Sequence, residues 1–187
     1  MSTVRLKEVG SVENAQHRTD AKIRYARLHM GELLSYSRKG SGDDFERSHI
    51  ESFLYHLLGV RDAFLQELNL YYDCKLAIDK VSGPLLKEKM KAKGLPSQEL
   101  DEILFLEAED GSWLNDAKEM RHHATHRRSV SREFFVGGNE DGQVHLKNPK
   151  SGLTIKEDFG GLFKGWCNEM ERLIGRLRKS ALERIQI

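Results

Sequence analysis

A long stripe of apolar side chains between residues 44 and 76 limits most strongly what this chain can fold into. Its members follow one another at spacings of 4, 3, 4, 4 and 3: Phe53, Leu57, Val60, Phe64, Leu68 and Tyr71. Because an α-helix has about 3.6 residues per turn, these spacings place the side chains on one helix face. A face of this length has to be covered by other helices, so the stripe predicts the core helix of a bundle.

Helical spacing of apolar residues recurs elsewhere along the chain. The predicted helices span about residues 12–38, 44–76, 97–109, 113–127 and 158–184, with a short helix between Pro84 and Gly94. Glycines separate the first two helices, and Ser112 is placed to cap the helix that begins at Trp113. The apolar face of the last helix contains Phe163, Trp166, Met170, Leu173, Leu177 and Ala181. These patterns predict one all-α domain over residues 1–187.

Residues 132–156 break the helical pattern. The stretch REFFVGGNEDGQVHL has two short apolar runs on either side of a Gly, Asn and Asp cluster, which predicts a β-hairpin. The following NPKSGLTI adds a turn and a third short strand. The expected fold class is therefore an all-α helical bundle with a small β-hairpin insertion before the C-terminal helix.

Charge and composition exclude several function classes. The chain has 30 Lys and Arg against 29 Asp and Glu, so its net charge of +1 gives no general attraction to nucleic acid or anionic membranes. Any anion binding must therefore be local. No apolar run approaches the roughly 20 residues of a membrane span, and the start lacks the apolar region of a signal peptide. We expect a cytoplasmic protein in which Cys74 and Cys167 are buried thiols.

The stretch MRHHATHRR, residues 120–128, concentrates three histidines and three arginines. On the predicted helix its core stripe is Trp113, Ala117, Met120 and Ala124. Arg121 lies at the border of that stripe, whereas His122 and His126 lie on the far side, one turn apart. One interpretation is a solvated helix end, where cations are favoured by the unpaired carbonyls and the helix dipole.

A metal site is a second interpretation of the same histidines. His122 and His126 can bind one ion, and Glu119 and His122 have the E-x-x-H spacing of carboxylate-bridged di-metal bundles. The second helix has a matching Glu46 and His49, with His56 one heptad further on the same face. His122, however, points away from the inferred core, where such ligands have to converge. We therefore expect no metal and no other cofactor.

The stretch MRHHATH also resembles the Rx4–6H motif of HEPN domains, with Arg121, His122 directly after it, and His126. HEPN domains are small all-α bundles, commonly dimeric, with this motif near the C-terminal end of a late helix. Many members are metal-independent ribonucleases, and others bind RNA or a partner protein without cleaving. The resemblance covers about residues 12–128 and implies RNA as the substrate, a homodimer, and room for a further protein partner.

The resemblance and the chemistry of RNA cleavage together assign roles to these residues. His126 is the expected general acid or base, Arg121 the phosphate clamp, and His122 a polar orienting group. Flanking phosphates are expected on four cations: Lys118, Arg127, Arg128 and Arg132. On a straight helix Arg121 and His126 are about 140° apart, so a two-fold dimer would let one chain complement the other.

One departure from the family pattern restricts the expected biology. Some HEPN toxins carry a tyrosine two residues after the motif histidine, where a partner enzyme modifies it, and this chain has Arg128 there. The leading hypothesis is a metal-independent endoribonuclease or an RNA-binding relative. The alternatives are a non-catalytic helical partner or scaffold protein and a His/Glu metal-binding bundle. Four tyrosines are expected in the core or an interface rather than as stacking surfaces for bases: Tyr25, Tyr55, Tyr71 and Tyr72.

Overall fold

A computed structural model describes residues 11–36, 43–126, 130, 132–134, 138–140 and 144–185 of the chain. It contains six helices within these ranges: α1 (Val12–Tyr36), α2 (Asp43–Tyr71), α3 (Gly83–Ala92), α4 (Gln98–Ala108), α5 (Trp113–His126) and α6 (Phe159–Ile185). Short 3₁₀ turns lie at Ile78–Lys80 and Gly138–Glu140. The all-α bundle that the spacing of apolar residues predicted is confirmed, and the helix ends differ from prediction by a few residues.

Helix α2 is the central element of the bundle. It packs against each of the other five helices, which explains why its apolar stripe is the longest in the sequence. The stripe residues Phe53, Val60 and Phe64 are fully buried, and the Phe53 ring stacks on that of Phe163 in α6 with centroids 4.0 Å apart. Burial of these large side chains is the main favourable contribution to folding, at about 1.5–3 kcal/mol for each.

Three short strands form the insertion before the last helix. They are β1 (Arg132–Phe134), β2 (Val144–Lys147) and β3 (Thr154–Asp158), in an antiparallel sheet of order β1-β2-β3. The hairpin and the third strand that the sequence predicted are thus both present. Leu146 is fully buried, and β2 and β3 pack against α6. The sheet therefore covers part of the last helix.

The helix that carries the motif begins at a serine cap. The backbone N–H of Asn115 donates a hydrogen bond to Oγ of Ser112 over 3.1 Å, as predicted. Both cysteines are buried free thiols, and burial raises the pKa of Cys167 to about 11. Within the described ranges no helix combines the length and the apolar character that crossing a bilayer requires.

Candidate functional site

Arg121 lies at the surface of the bundle where α5 meets α2. Its neighbour Met120 is fully buried, whereas the Arg121 side chain is half-buried at the edge of the core face, as its helical position predicted. The guanidinium carbon lies 5.6 Å from the centre of the Tyr55 ring in α2. This distance is within the range of a cation–π interaction. Packing of α5 on α2 therefore sets the position of the arginine.

A second cation, Lys22 of α1, contacts the same tyrosine. The ammonium nitrogen of Lys22, in α1, lies 4.8 Å from the centre of the Tyr55 ring. Tyr55 itself is 52% exposed, so its ring is open to solvent between the two cations. Arg121, Tyr55 and Lys22 thus come from three different helices and meet at one point of the surface.

These residues line a cavity of about 250 Å³. Its wall consists of Arg18, Lys22, Tyr55, Gly59, Asp62, Ala63, Gln66, Ile78 and Arg121. The cavity has three cations and one carboxylate, and Asp62 accepts a hydrogen bond from Nη1 of Arg61 over 2.8 Å. In the part of the chain that the structure describes, none of the three cations has a carboxylate partner. We call this group of Arg18, Lys22, Tyr55 and Arg121 the cation pocket.

A glycine in the middle of α2 lets Lys22 reach the pocket. A Cβ atom at Gly59 would lie 3.3 Å from Cδ of Lys22, which is closer than ordinary van der Waals contact. Glycine inside a helix costs about 0.5–1 kcal/mol relative to alanine. The close approach of the lysine stem gives this glycine a structural reason, because a larger residue would push Lys22 away from Tyr55.

Three histidines form a cluster beside the pocket, on the surface shared by α1 and α2. Nδ1 of His56 lies 3.5 Å from the Lys22 ammonium nitrogen, and the rings of His56 and His29 stack with centroids 5.4 Å apart. Nδ1 of His29 lies 3.1 Å from Nδ1 of His49. We call His29, His49 and His56 the histidine cluster. It is continuous with the cation pocket through Lys22.

The histidine cluster bears on the metal interpretation of the sequence. His49 and His56 do come together, but with His29, which the E-x-x-H spacing did not point to. Among the described residues, no group of three or more His, Cys, Asp or Glu side chains is arranged to hold a metal ion. The convergence of Glu119 and His122 with Glu46 and His49 that the alternative metal interpretation requires is therefore not seen among the described residues.

The other predicted site residues have different positions. His122 is exposed on α5, and Lys118 donates a hydrogen bond to the carbonyl of Glu107 over 3.4 Å rather than lining the pocket. The backbone of α5 stays helical to His126, but the side chains of His126 and Arg132 lie outside the described part of the structure. Arg127 and Arg128 also lie outside the described residues.

The tyrosines were predicted to lie in the core or an interface; the core position is confirmed for two of them, and for the other two an interface stays a prediction. Tyr71 and Tyr72 are buried, whereas Tyr25 is 45% exposed and Tyr55 lines the cation pocket. Neither of the exposed tyrosines belongs to the core of the chain. Position 55 lies on the face of α2 away from its apolar stripe, which explains the exposure of Tyr55.

Comparison of the chain with protein-family models, with curated proteins and with solved structures gave no match. The resemblance of Arg121, His122 and His126 to the HEPN motif therefore stays a prediction. The geometry of the cation pocket and the histidine cluster carries the functional argument.

Proposed function

We propose that this protein is a HEPN-like, metal-independent endoribonuclease, or an RNA-binding relative of one, that binds RNA at the cation pocket. The observation that supports the proposal is that Lys22 and Arg121 both contact the exposed ring of Tyr55, with Arg18 in the wall of the same cavity. Among the described residues, none of these three cations has a carboxylate partner. A cation without a carboxylate partner keeps its charge available for an external anion. An exposed aromatic ring beside it offers a face on which an unpaired base can stack.

The charge of the pocket fits RNA better than a neutral ligand. Arginine presents a planar fork of N–H donors that matches phosphate oxygens, and lysine adds a point charge. The near-neutral net charge of the chain means that this attraction is local, as the sequence required. We therefore expect binding to single-stranded RNA, whose bases are free to stack, over duplex RNA, whose bases are already stacked.

The proposed chemistry is attack of the RNA 2′-hydroxyl on the adjacent phosphate. Arg121 binds the phosphoryl oxygens and stabilises the charge that develops on them. His126 transfers a proton, and His122 orients the reacting groups. Lys118, Arg127, Arg128 and Arg132 bind neighbouring phosphates. The proposal includes a cytoplasmic homodimer in which His126 of one copy faces Arg121 of the other.

The test is incubation of end-labelled RNA with purified protein in excess EDTA. We expect cleavage by the native chain and loss of cleavage in the Arg121→Ala protein. Arg172→Ala is a matched control, because Arg172 is an exposed arginine on α6 that is paired with Glu169 and does not line the pocket. Cleavage that persists in Arg121→Ala contradicts the role of Arg121. Cleavage that EDTA abolishes contradicts a metal-independent reaction.

Binding is tested separately from cleavage. The RNA affinity of the native chain and of Lys22→Gln is measured at several salt concentrations. Each phosphate contact on single-stranded nucleic acid adds about 0.7 to the slope of log K against log salt, so Lys22→Gln should lower the slope by about that amount. A chain that neither binds nor cleaves RNA would instead be a non-catalytic helical partner or scaffold protein. Light scattering then tests the dimer through the expected doubling of the monomer mass.

A further inference from the structure

Arg121 and His126 are on the same helix, α5, so helix geometry decides whether His126 can transfer a proton next to Arg121 of the same chain. Helix α5 continues without interruption to His126. Five residues of a regular helix separate the two backbone positions by about 140°, so positions 121 and 126 belong to different faces of α5. A proton-transfer group for the Arg121 side therefore has to come from another element, or from another copy of the chain.

His56 is the histidine that the fold brings to the cation pocket. Its Nδ1 lies 3.5 Å from Nζ of Lys22, and its ring meets the edge of the Tyr55 ring with centroids 5.2 Å apart. Both contacts are with residues that line the cavity. His56 is half-buried, so part of its ring is open to solvent. A phosphate held by Lys22 and Arg121 would therefore lie next to this imidazole.

We propose that His56 is the acid–base residue of the cation pocket within a single chain, and that His29 is a positioning residue that holds its ring. This inference rests on the proposed function, because it concerns the same reaction and gives the proton-accepting role to His56 in place of His126. It differs from the dimer scheme, in which His126 of a second copy supplies the proton transfer.

The proposed step balances without a metal or a cofactor. The 2′-oxygen forms a bond to phosphorus, and its proton passes to the neutral imidazole of His56. The bond from phosphorus to the 5′-oxygen breaks, and that oxygen takes a proton from water. The hydroxide left behind collects the proton from His56, which restores both groups. The products are a 2′,3′-cyclic phosphate and a 5′-hydroxyl end.

The surroundings of His56 keep it ready to accept a proton. Burial lowers its pKa below the ordinary value of 6.5, and the charges of Lys22 and His29 lower it further. The rings of Tyr25 and Tyr55 pack against it at centroid distances of 5.2 Å. These causes favour the neutral imidazole, which is the form that accepts a proton. A phosphate on Lys22 would offset the lysine charge, so substrate binding should raise the pKa of His56.

His29 connects His56 to the rest of the histidine cluster. Its ring stacks on His56 with an interplanar angle of 11°, and its Nδ1 faces that of His49. One of the two facing nitrogens has to carry the proton and the other has to accept it. Burial lowers the pKa of His29, His49 lowers it further, and Glu32 opposes both. The stacked ring of His29 fixes the plane of the His56 ring.

The first test follows the imidazole resonances of the full-length protein by NMR through a pH titration, with and without a single-stranded RNA whose 2′-oxygens are methylated. Methylation blocks the attack, so the complex persists. We expect a His56 pKa below 6.5 in the protein alone, a rise when the RNA binds, and a value nearer 6.5 in Lys22→Gln. His17, an exposed histidine of α1, is the internal control and should not respond.

The second test compares cleavage rates over a range of pH. His56→Gln should lower the rate by about 100- to 10,000-fold, the range for loss of a general acid or base. His29→Gln should move the midpoint of the pH profile with a smaller loss of rate, whereas His17→Gln should change neither. Circular dichroism establishes that each variant keeps the native fold.

The outcomes separate this inference from the proposed function. A His56→Gln protein that cleaves at the native rate overturns the inference, even if Arg121→Ala is inactive. If the native chain binds the methylated RNA but does not cleave unmodified RNA, the nuclease proposal fails. In that case the catalytic role of His56 fails with it, and the His56 pKa then reports only whether RNA binds beside this residue. If no RNA binds, both fail.

Discussion

Two regions of the molecule hold clusters of charge, and they differ in how those charges are paired. In the cation pocket, Arg18, Lys22 and Arg121 have no carboxylate partner among the described residues. In the second region, where α6 packs on α1 and α2, Arg178 forms ion pairs with the carboxylates of Asp20 and Glu67. We call these three residues the Arg178 cluster. The paired charges of Arg178 hold helices together, whereas the charges of the cation pocket remain available to a ligand.

Hydrogen bonds join the side chains of the Arg178 cluster to one another. Nε and Nη2 of Arg178 each donate to the Glu67 carboxylate over 2.8 Å, and Nη2 also donates to Asp20 over 2.9 Å. Glu67 is fully buried and accepts a further bond from the hydroxyl of Tyr71. Burial alone would lower the pKa of the Arg178 guanidinium, but its bonds to Glu67 and Asp20 raise it above the ordinary value. The charge of this arginine is therefore matched by two carboxylates within the fold.

A second buried carboxylate repeats the same arrangement where α4 meets α6. Glu99 is 1% exposed and accepts hydrogen bonds from Tyr72 over 3.0 Å and from Ser180 over 2.6 Å. Arg184 lies 3.3 Å from the same carboxylate. Glu67 and Glu99, the buried carboxylates of these two clusters, are thus both paired and hydrogen-bonded, as the cost of an unpaired buried charge requires. The unpaired cations are found where solvent can reach them.

The largest expected effect is on the free energy of unfolding, at the pair of Arg178 and the buried Glu67. Glu67→Ala should lower the free energy of unfolding by about 3–5 kcal/mol, because it leaves a half-buried arginine with one carboxylate instead of two. Urea unfolding followed by circular dichroism measures the change. The alanine is also smaller, and Glu67→Gln serves as the control that keeps the volume. A loss below about 1 kcal/mol in both variants would mean that the Arg178 cluster does not hold the helices together.

A smaller effect is expected at Tyr55, and in binding rather than in stability. Tyr55→Ala should weaken single-stranded RNA binding by about 1–3 kcal/mol, or about 5- to 150-fold, because it removes a stacking face. Tyr55→Phe keeps the ring and should bind almost as well as the native chain. Fluorescence anisotropy measures both. Unfolding should change by less than about 1 kcal/mol, since the ring is 52% exposed. Equal RNA binding by all three proteins would contradict stacking on Tyr55.

The histidine cluster should make stability fall in mild acid. The pKa values of His29 and His56 are lowered in the folded chain, chiefly by burial. As the pH falls below about 6.5, the unfolded chain binds protons that the folded chain does not, so unfolding becomes more favourable. Above that pH these groups have no such effect. Urea unfolding between pH 8 and 5.5 should show a smaller fall in His56→Gln than in the native chain. An identical fall in the free energy of unfolding of both proteins would mean that folding does not lower the pKa of His56.

The smallest effect on the free energy of unfolding is expected at the ion pair of Arg176 and Glu102. It also joins an arginine to a glutamate, but it lies at the surface. Arg176 donates two hydrogen bonds to the carboxylate of Glu102, one of them over 2.7 Å, and both side chains are largely in contact with solvent. Solvent screening limits such pairs to about 0–1 kcal/mol. Glu102→Ala should therefore leave urea unfolding nearly unchanged. A loss as large as that of Glu67→Ala would show that pairing, and not burial, decides the contribution of these clusters.

Much of the fold could be predicted from the sequence because the decisive signal is local. The spacing of Phe53, Val60 and Phe64 follows the period of a helix, and apolar residues at this period also mark the buried face of α6. The border position of Arg121 followed from the same period. The antiparallel insertion was predicted from its turn residues, which are also a local feature.

The site could be predicted only in part, because its members come from different helices. The sequence identified Arg121, and the spacing of E-x-x-H identified His49, but neither pointed to Lys22 or His29. A weak signal was present: none of Arg18, Lys22 and Arg121 has an Asp or Glu three or four residues away. Without such a neighbour a helical cation has no ion pair on its own helix.

That local signal does not separate a ligand site from a structural ion pair. Arg178 also has no acidic residue three or four positions away, yet it is paired with Glu67 and Asp20 from two other helices. The sequence by itself determined the helices, their buried faces and which cations lack a partner on their own helix. Only the tertiary structure decided that Arg178 meets two carboxylates while Arg121 meets Tyr55 and Lys22. The physical reason is that helix periodicity acts over a few residues, whereas charge pairing between helices depends on how they pack.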